Sequence, residues 1–197
     1  MSGMRRLARV AELLCLVSIV VAGVVLASFG SVGCGSMNFD RFDNSNLPIT
    51  PVEELHITGA APEVNIEDYR LIVDGLVDTS LSLTYEAILD YPTVTEVVLL
   101  VCPGFFTDNA EWTGVPVTTI LAEAGIKPEA SEVIFYALGS EYKVALPLNV
   151  VQQDGVFLAY TVNGQVLPAE HGYPLRLVVK GDYGYDWIKW VKRIEIR

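Results

Sequence analysis

Cys102 closes the aliphatic run Val97-Val-Leu-Leu-Val101 and is followed at once by Pro103-Gly104. The chain has three cysteines; Cys15 lies in an N-terminal apolar run and Cys34 beyond its end, so Cys102 stands alone in the globular part. That leaves neither a disulfide framework nor a Cys/His cluster with zinc spacing. A solitary thiol in an exported protein needs shelter or a purpose, because exposed it oxidises. Burial as a small apolar side chain is one answer. Retention at a strand end as a reactive or ligating sulfur is the other.

The second chemical feature is the placement of the bases. Of the 13 Lys and Arg residues, Arg5, Arg6 and Arg9 belong to the N-terminal stretch, and six of the remaining ten crowd the end of the chain. These six are Arg176, Lys180, Lys189, Lys192, Arg193 and Arg197, in and after the segment HGYPLRLVVKGDYGYDWIKWVKR, which opens with His171. In an acidic protein such a concentration points to an anion site, since Arg and Lys bind phosphate by charge-assisted hydrogen bonds and glycines let backbone N–H groups approach. A solvated basic strand face is the competing reading and suits Lys192, Arg193 and Arg197. Arg176 in an apolar strand after Pro174, and Lys189 between Ile188 and Trp190, are enclosed enough to require an anionic partner.

These residues must be held by a domain of about 150 residues, which a 197-residue chain with 51% hydrophobic residues can bury around one core. Tyr69–Val73 reads as a strand closed by the turn pair Asp74-Gly75, Ser82–Leu89 as a short capped helix stopped by Pro92, and Thr95–Val101 as a central strand. An irregular stretch is expected from Cys102 to Gly114. Pro116 then opens a helix that Gly125 closes. Val133–Leu138 with Tyr142–Leu146 make one hairpin, and Val156–Val162 with Gln165–Leu167, joined by Asn163-Gly164, make another. Leu175–Val179 and Trp190–Ile196 are further strands. Strands that pair locally, mixed with short helices, give an α+β class with a largely antiparallel or mixed sheet.

The three N-terminal arginines precede an apolar run from Leu13 to Phe29, the order of an export signal or a membrane anchor. Ser31-Val-Gly-Cys34 resembles a bacterial lipoprotein cleavage box, with Ser31 where Leu is usual. Residues 1–33 are therefore expected as signal or anchor, 34–54 as a polar tether and 55–197 as the domain, on the extracytoplasmic face of the membrane. Removing residues 1–33, with three bases and one acid, moves the formal charge from −11 to −13. That charge excludes nucleic acid and anionic lipid heads as generic partners.

The segments LLVC, EWTGVPVTTILAEAG and LAYTVNGQVLPAEHGYPLRLVVKGDYGYDWIKWVKRIEI, with VNIEDYRLIVDGLVD before them, resemble the molybdopterin-binding oxidoreductase domain of the sulfite oxidase family, including its methionine-sulfoxide-reductase branch. The resemblance covers about Leu55 to Arg197. It implies a sulfite-oxidase-like fold and a molybdenum-molybdopterin cofactor, with Cys102 as the thiolate ligand of the metal, a soft donor suited to it. It also implies that His171, Arg176 and Lys189 contact the pterin and its phosphate and that Gly184 and Tyr185 lie in the loop around that phosphate. His56, at the position where sulfite-oxidising relatives carry an Arg-Asn-His segment, is expected near the pterin or metal.

Three departures bear on function. Asp186 stands where relatives often have Lys, and must turn outward or bind a neighbouring base. Pro103-Gly-Phe-Phe106 replaces the usual residues after the cysteine. No arginine accompanies His56, which weakens sulfite as substrate, because a small dianion needs a positive pocket. The function these features imply is two-electron oxygen-atom transfer on a small substrate, with a haem- or quinone-linked membrane partner for electrons and Trp112, Phe105 and Phe106 either walling the substrate side or filling the core. The alternative is a binding module that keeps the fold without the cofactor. No Gly-x-Ser-x-Gly elbow supports a hydrolase.

Overall fold

Four antiparallel pairs of consecutive strands and one long-range parallel pair organise the strands in the computed structural model, which describes residues 41–197. The strands are β1 (Leu71–Gly75), β2 (Leu81–Leu83), β3 (Val94–Cys102), β4 (Phe106–Pro116), β5 (Glu132–Ala137), β6 (Lys143–Pro147), β7 (Val156–Val162), β8 (Gln165–Val166), β9 (Arg176–Val179) and β10 (Val191–Ile196). The α-helices are short: α1 (Tyr85–Leu89), α2 (Val117–Ala124) and α3 (Leu148–Val151). One sheet runs β2-β1-β10-β5-β6; the other runs β3-β4-β7-β8, with β9 also paired to β7. Of the strand pairs, β1–β10 is parallel and the others are antiparallel. The expected α+β class with a largely antiparallel sheet is what the chain forms. All the described residues fall in one unit, Ser36–Arg197; the expected signal or anchor and the lipobox cysteine lie outside the described residues.

Local chemistry accounts for the elements that the sequence announced. Asn163 and Gly164 take φ of 49° and 73°, the left-handed pair that a two-residue hairpin needs between β7 and β8. In α2, Val117, Ile120, Leu121 and Ala124 are buried, the i, i+3, i+4, i+7 stripe of a helix laid on β4 and β7. Trp112 and Trp187 meet edge to face at 5.8 Å in the core.

Elsewhere the structure corrects the sequence reading. Ser82 and Leu83 belong to β2, where Leu83 pairs with Leu71, and the helix begins only after Thr84, whose Oγ1 accepts from Ala87 N at 3.1 Å. β3 is an edge strand of its sheet, not a central one. The stretch expected to be irregular after Cys102 is largely β4, the longest strand described.

The segment expected as a tether also differs. Over residues 41–54 it lies against the domain: Asn44 Nδ2 donates to Val97 O, Thr50 N to Asn109 O, and Asn163 Nδ2 to Thr50 O. The reason lies in β4. Its pairing with β7 covers only Trp112–Pro116, so the preceding half has an edge open to other partners: Thr50 of the arm takes the N–H and C=O of Asn109, and Asn163 takes those of Glu111.

Candidate functional site

A cavity of about 610 Å³ opens beside the C-terminal end of β3. It is lined by Cys102 from that strand end, Arg176 from the start of β9, Gly184, Tyr185 and Lys189 from the loop before β10, and His56 from the N-terminal arm. Six of the seven residues singled out in the sequence therefore meet at one place. His171, the seventh, is buried behind it and does not line the cavity.

Arg176 is the site's most telling group. Its side chain is buried at 6% exposure, Nη1 donates to His171 O at 3.0 Å, and Nε has no protein partner. The guanidinium lies 5.3 Å from the Trp112 ring and 5.8 Å from that of Trp187, an aromatic slot that suits its flat face. Burial pushes its pKa down to about 10, against the opposing pull of Cys102 and Asp108. A buried N–H left unmade costs about 1–3 kcal/mol. Such a cation inside a cavity is built to receive an acceptor.

Lys189 supplies a second charge. Its Nζ donates to the carbonyls of Thr58 and Glu170, leaving one of its three donors free, and it stands 4.5 Å from the Trp190 ring. Burial first, then Arg176, pushes its pKa down to about 8. His171 serves Arg176 through its backbone carbonyl; burial, then the charge of Arg176, lowers its imidazole below the usual range and favours the neutral ring.

At the other end, burial pushes the Cys102 thiol up and Arg176 pulls it back down. Gly184 presses on this sulfur: a Cβ there would lie 2.6 Å from Cys102 Sγ. The amide of Gly184 is spent on Val101 O at 2.8 Å, and Tyr183 bridges Val101, so the loop is stitched along the end of β3. Glycine at 184 thus provides close approach to the sulfur. Tyr185 exposes its ring, and its carbonyl accepts from Tyr142 OH at 2.5 Å.

His56 is held by a residue the sequence did not reveal. Asp108, 1% exposed, accepts from His56 N at 2.9 Å and faces His56 Nδ1 at 2.7 Å, while the imidazole stacks on Phe106 at 4.4 Å. Asp186, expected either to turn outward or to bind a neighbouring base, is half-buried and has a carboxylate for its partner. It pairs with Asp182, and burial together with that neighbour pushes it up to about 7. The arm reaches this loop too, through Arg41, whose Nη2 donates to Tyr183 OH at 2.5 Å and whose guanidinium lies 4.2 Å from the Tyr183 ring. Of the aromatic candidates, Trp112 is core, whereas Phe105 is 89% exposed at the cavity lip and Phe106 lines the cavity. Asp108, Arg41, Tyr142 and Trp187 carried no local signal; each acquires its place only when β4, the arm and the loop before β10 come together.

A single sulfur at one end of a cavity and an enclosed, unsaturated cation pair elsewhere in it define a pocket for an anionic cofactor with a soft-ligand centre. The comparisons give that class its family: the chain belongs to the family described as the oxidoreductase molybdopterin binding domain, which matches residues 58–197. It is 30% identical over 165 residues to mitochondrial sulfite oxidase of Macaca fascicularis, covering 69% of this chain and 30% of that protein. It is 28% identical over 180 residues to nitrate reductase [NADH] 1 of Arabidopsis thaliana, covering 74% of this chain and 20% of that one. Among solved structures, the sulfane dehydrogenase SoxCD of Paracoccus pantotrophus superposes with a TM-score of 0.65 at 37% identity, over 69% of this chain and 40% of that chain. The chain thus spans less than a third of the length of these two curated relatives. Membership of the family implies a molybdenum-molybdopterin cofactor, and the observed donors fit one.

Proposed function

We propose that this chain is a molybdenum-molybdopterin oxidoreductase domain that transfers an oxygen atom to or from a small substrate in a two-electron step. The observation that carries the reading is the unpartnered Nε of buried Arg176 in the same cavity as Cys102. Arg176 and Lys189 would hold the anionic part of the cofactor, and Cys102 would be its protein ligand to molybdenum. Among the described residues no group of three or more His, Cys, Asp and Glu side chains is arranged to hold a metal ion, which suits a centre whose other ligands arrive with the pterin. When bound, the cofactor supplies the two-electron redox chemistry.

The protein's part is binding and orientation. The slot between Trp112 and Trp187 fixes the guanidinium, the two carbonyls on Lys189 fix its ammonium, and Gly184 pins Cys102 Sγ. Once Arg176 and Lys189 serve the cofactor, no further Arg or Lys among the described residues lines the cavity. A neutral substrate therefore suits it better than an oxyanion.

The extracytoplasmic, membrane-attached setting is part of the proposal and is supported by the apolar run Leu13–Phe29 and by Cys34. Among the described residues no helix is long and apolar enough to cross a membrane, so attachment would fall to the N-terminal segment. A haem- or quinone-linked membrane protein would then exchange the electrons.

Metal analysis of the full chain, from a host that loads related enzymes, tests the reading. About one molybdenum per wild-type chain is expected, with a large loss in Cys102→Ser. Metal-free wild-type protein would overturn it.

A further inference from the structure

Asp108 is a buried carboxylate that the binding scheme above does not use. It sits in β4 at 1% exposure, and its hydrogen-bonding partners are the backbone N–H and the ring Nδ1 of one residue, His56. Taking a carboxylate out of water is costly unless it is paired. A loop anchor alone would be served by the contact to His56 N. The second contact, at 2.7 Å to Nδ1, combines with the nearly parallel stack on Phe106, 5° between rings, to fix an imidazole whose side chain is 54% exposed.

We propose that His56 is an acid–base residue of the oxygen-transfer reaction and that Asp108 is the positioning residue that sets its tautomer. This rests on the function proposed above. An ionised carboxylate only accepts, so the hydrogen of this contact lies on Nδ1, and in the neutral ring Nε2 is the nitrogen that keeps a lone pair. A base oriented through its far nitrogen by a buried acid is the arrangement that general acid–base catalysis uses.

The reaction needs such a group. In the reducing direction, XO + 2H⁺ + 2e⁻ gives X + H₂O: the X–O bond breaks, two O–H bonds form, and the electrons come from a one-electron carrier protein. In the oxidising direction water gives up the same two protons. His56 donates one proton in the first case and accepts one in the second, and bulk water handles the other. The other titratable or charged side chains at the cavity are poorly suited. Cys102 is assigned to the metal, Arg176 and Lys189 to the cofactor's charge, Tyr142 is tied to Tyr185 O, and Tyr185 is 59% exposed with no side-chain partner among the described residues that orients its hydroxyl, unlike the Asp108-held ring of His56.

Two measurements on the full, metal-loaded chain test the proposal. First, the chain has two histidines, so ¹⁵N-histidine NMR with His171→Gln as the assignment control reads the His56 tautomer directly. The Nδ1–H form is expected in wild type and a shift towards Nε2–H in Asp108→Asn. An unchanged tautomer in that variant overturns the positioning role. Second, turnover is followed with reduced methyl viologen against trimethylamine N-oxide or dimethyl sulfoxide, and with ferricyanide against sulfite. His56→Gln should lower kcat on the best of these about 100-fold, the lower end of general acid–base effects, and remove one limb of its pH profile while molybdenum content stays at the wild-type level. Full turnover in His56→Gln overturns the proposal. So does loss of molybdenum from it, which would make His56 a cofactor-holding group instead. Loaded wild type inert to all three probes would sink the oxygen-transfer reading itself, an outcome separate from either histidine result.

Discussion

Replacing Arg176 by Met separates a cofactor-holding cation from a structural one. In the metal-free protein the charge of Arg176 is a burden: burial pushes its pKa down from the ordinary guanidinium value to about 10, which at about 1.4 kcal/mol per pH unit penalises the folded state by about 3 kcal/mol at neutral pH. Against this, Met loses a charged hydrogen bond to His171 O, about 1.5–3 kcal/mol, and two aromatic contacts of about 0.5–1 kcal/mol each. The two sides nearly cancel. Metal-free Arg176→Met should therefore unfold in urea within about 2 kcal/mol of wild type. Cofactor binding has no such compensation, since truncating one partner of a buried charge pair costs about 3–5 kcal/mol, or 10²-fold or more in affinity. Molybdenum retained after gel filtration, measured beside the urea midpoint, is the assay. A variant that loses more than about 3 kcal/mol of metal-free stability yet keeps its molybdenum would refute the reasoning and make Arg176 a structural residue.

Gly184→Ala places a methyl 2.6 Å from Cys102 Sγ and 2.9 Å from Leu100 Cδ1, so overpacking should cost about 1–3 kcal/mol, read as a Tm lowered by several degrees, and shift the sulfur enough to reduce metal retention. Asp186, raised from 3.8 to about 7, keeps its proton in the folded state while the unfolded chain loses it, so it makes stability decline between about pH 4 and 7. Asp186→Asn should flatten that decline and raise stability at pH 8, and an unaltered pH profile would show that the Asp182 pairing does not matter. Asn109 donates to Leu47 O and Pro48 O and accepts from Asn44, so Asn109→Ala should free the arm and speed tryptic cleavage after Arg41 about tenfold, the effect of one lost buried amide. Unchanged cleavage would mean that other contacts hold the arm.

Much of this site was legible from residue types because its chemistry is local in the chain. His171, Arg176, Gly184 and Lys189 lie within 19 positions of one another, and enclosure of a cation by apolar neighbours is visible in the sequence around Arg176 and Lys189. The hairpins were legible for the same reason, since Asn163-Gly164 fixes its own turn. What was hidden depends on distant partners. β4 reads as irregular because Thr107, Asp108, Asn109 and Glu111 interrupt its apolar pattern, and the partners of Asp108 and Asn109 come from the distant arm and that of Glu111 from Asn163. The arm in turn reads as a tether because it is poor in aliphatics; its order comes from hydrogen bonds to an open strand edge, which composition does not encode. The edge position of β3 was likewise invisible, since its run of valines and leucines resembles that of an interior strand.

The convergence has a consequence for how the site forms. Cys102 is fixed by Gly184, Arg176 by His171 O and two tryptophans, Lys189 by Thr58 and Glu170, and His56 by Asp108, so every candidate group is tied down by a residue from another segment. No sub-segment can present the cavity alone. The loop before β10 is the weakest tie, because it carries a carboxyl pair, the exposed Tyr185 and an amide whose partner is the last carbonyl before Cys102. Local opening of that loop would uncover the sulfur and loosen Lys189 together, without unfolding either sheet. Two hydrogen bonds oppose that opening, from Arg41 of the arm to Tyr183 OH and from Tyr142 to Tyr185 O, so the loop's stability is set by the arm and by the turn between β5 and β6.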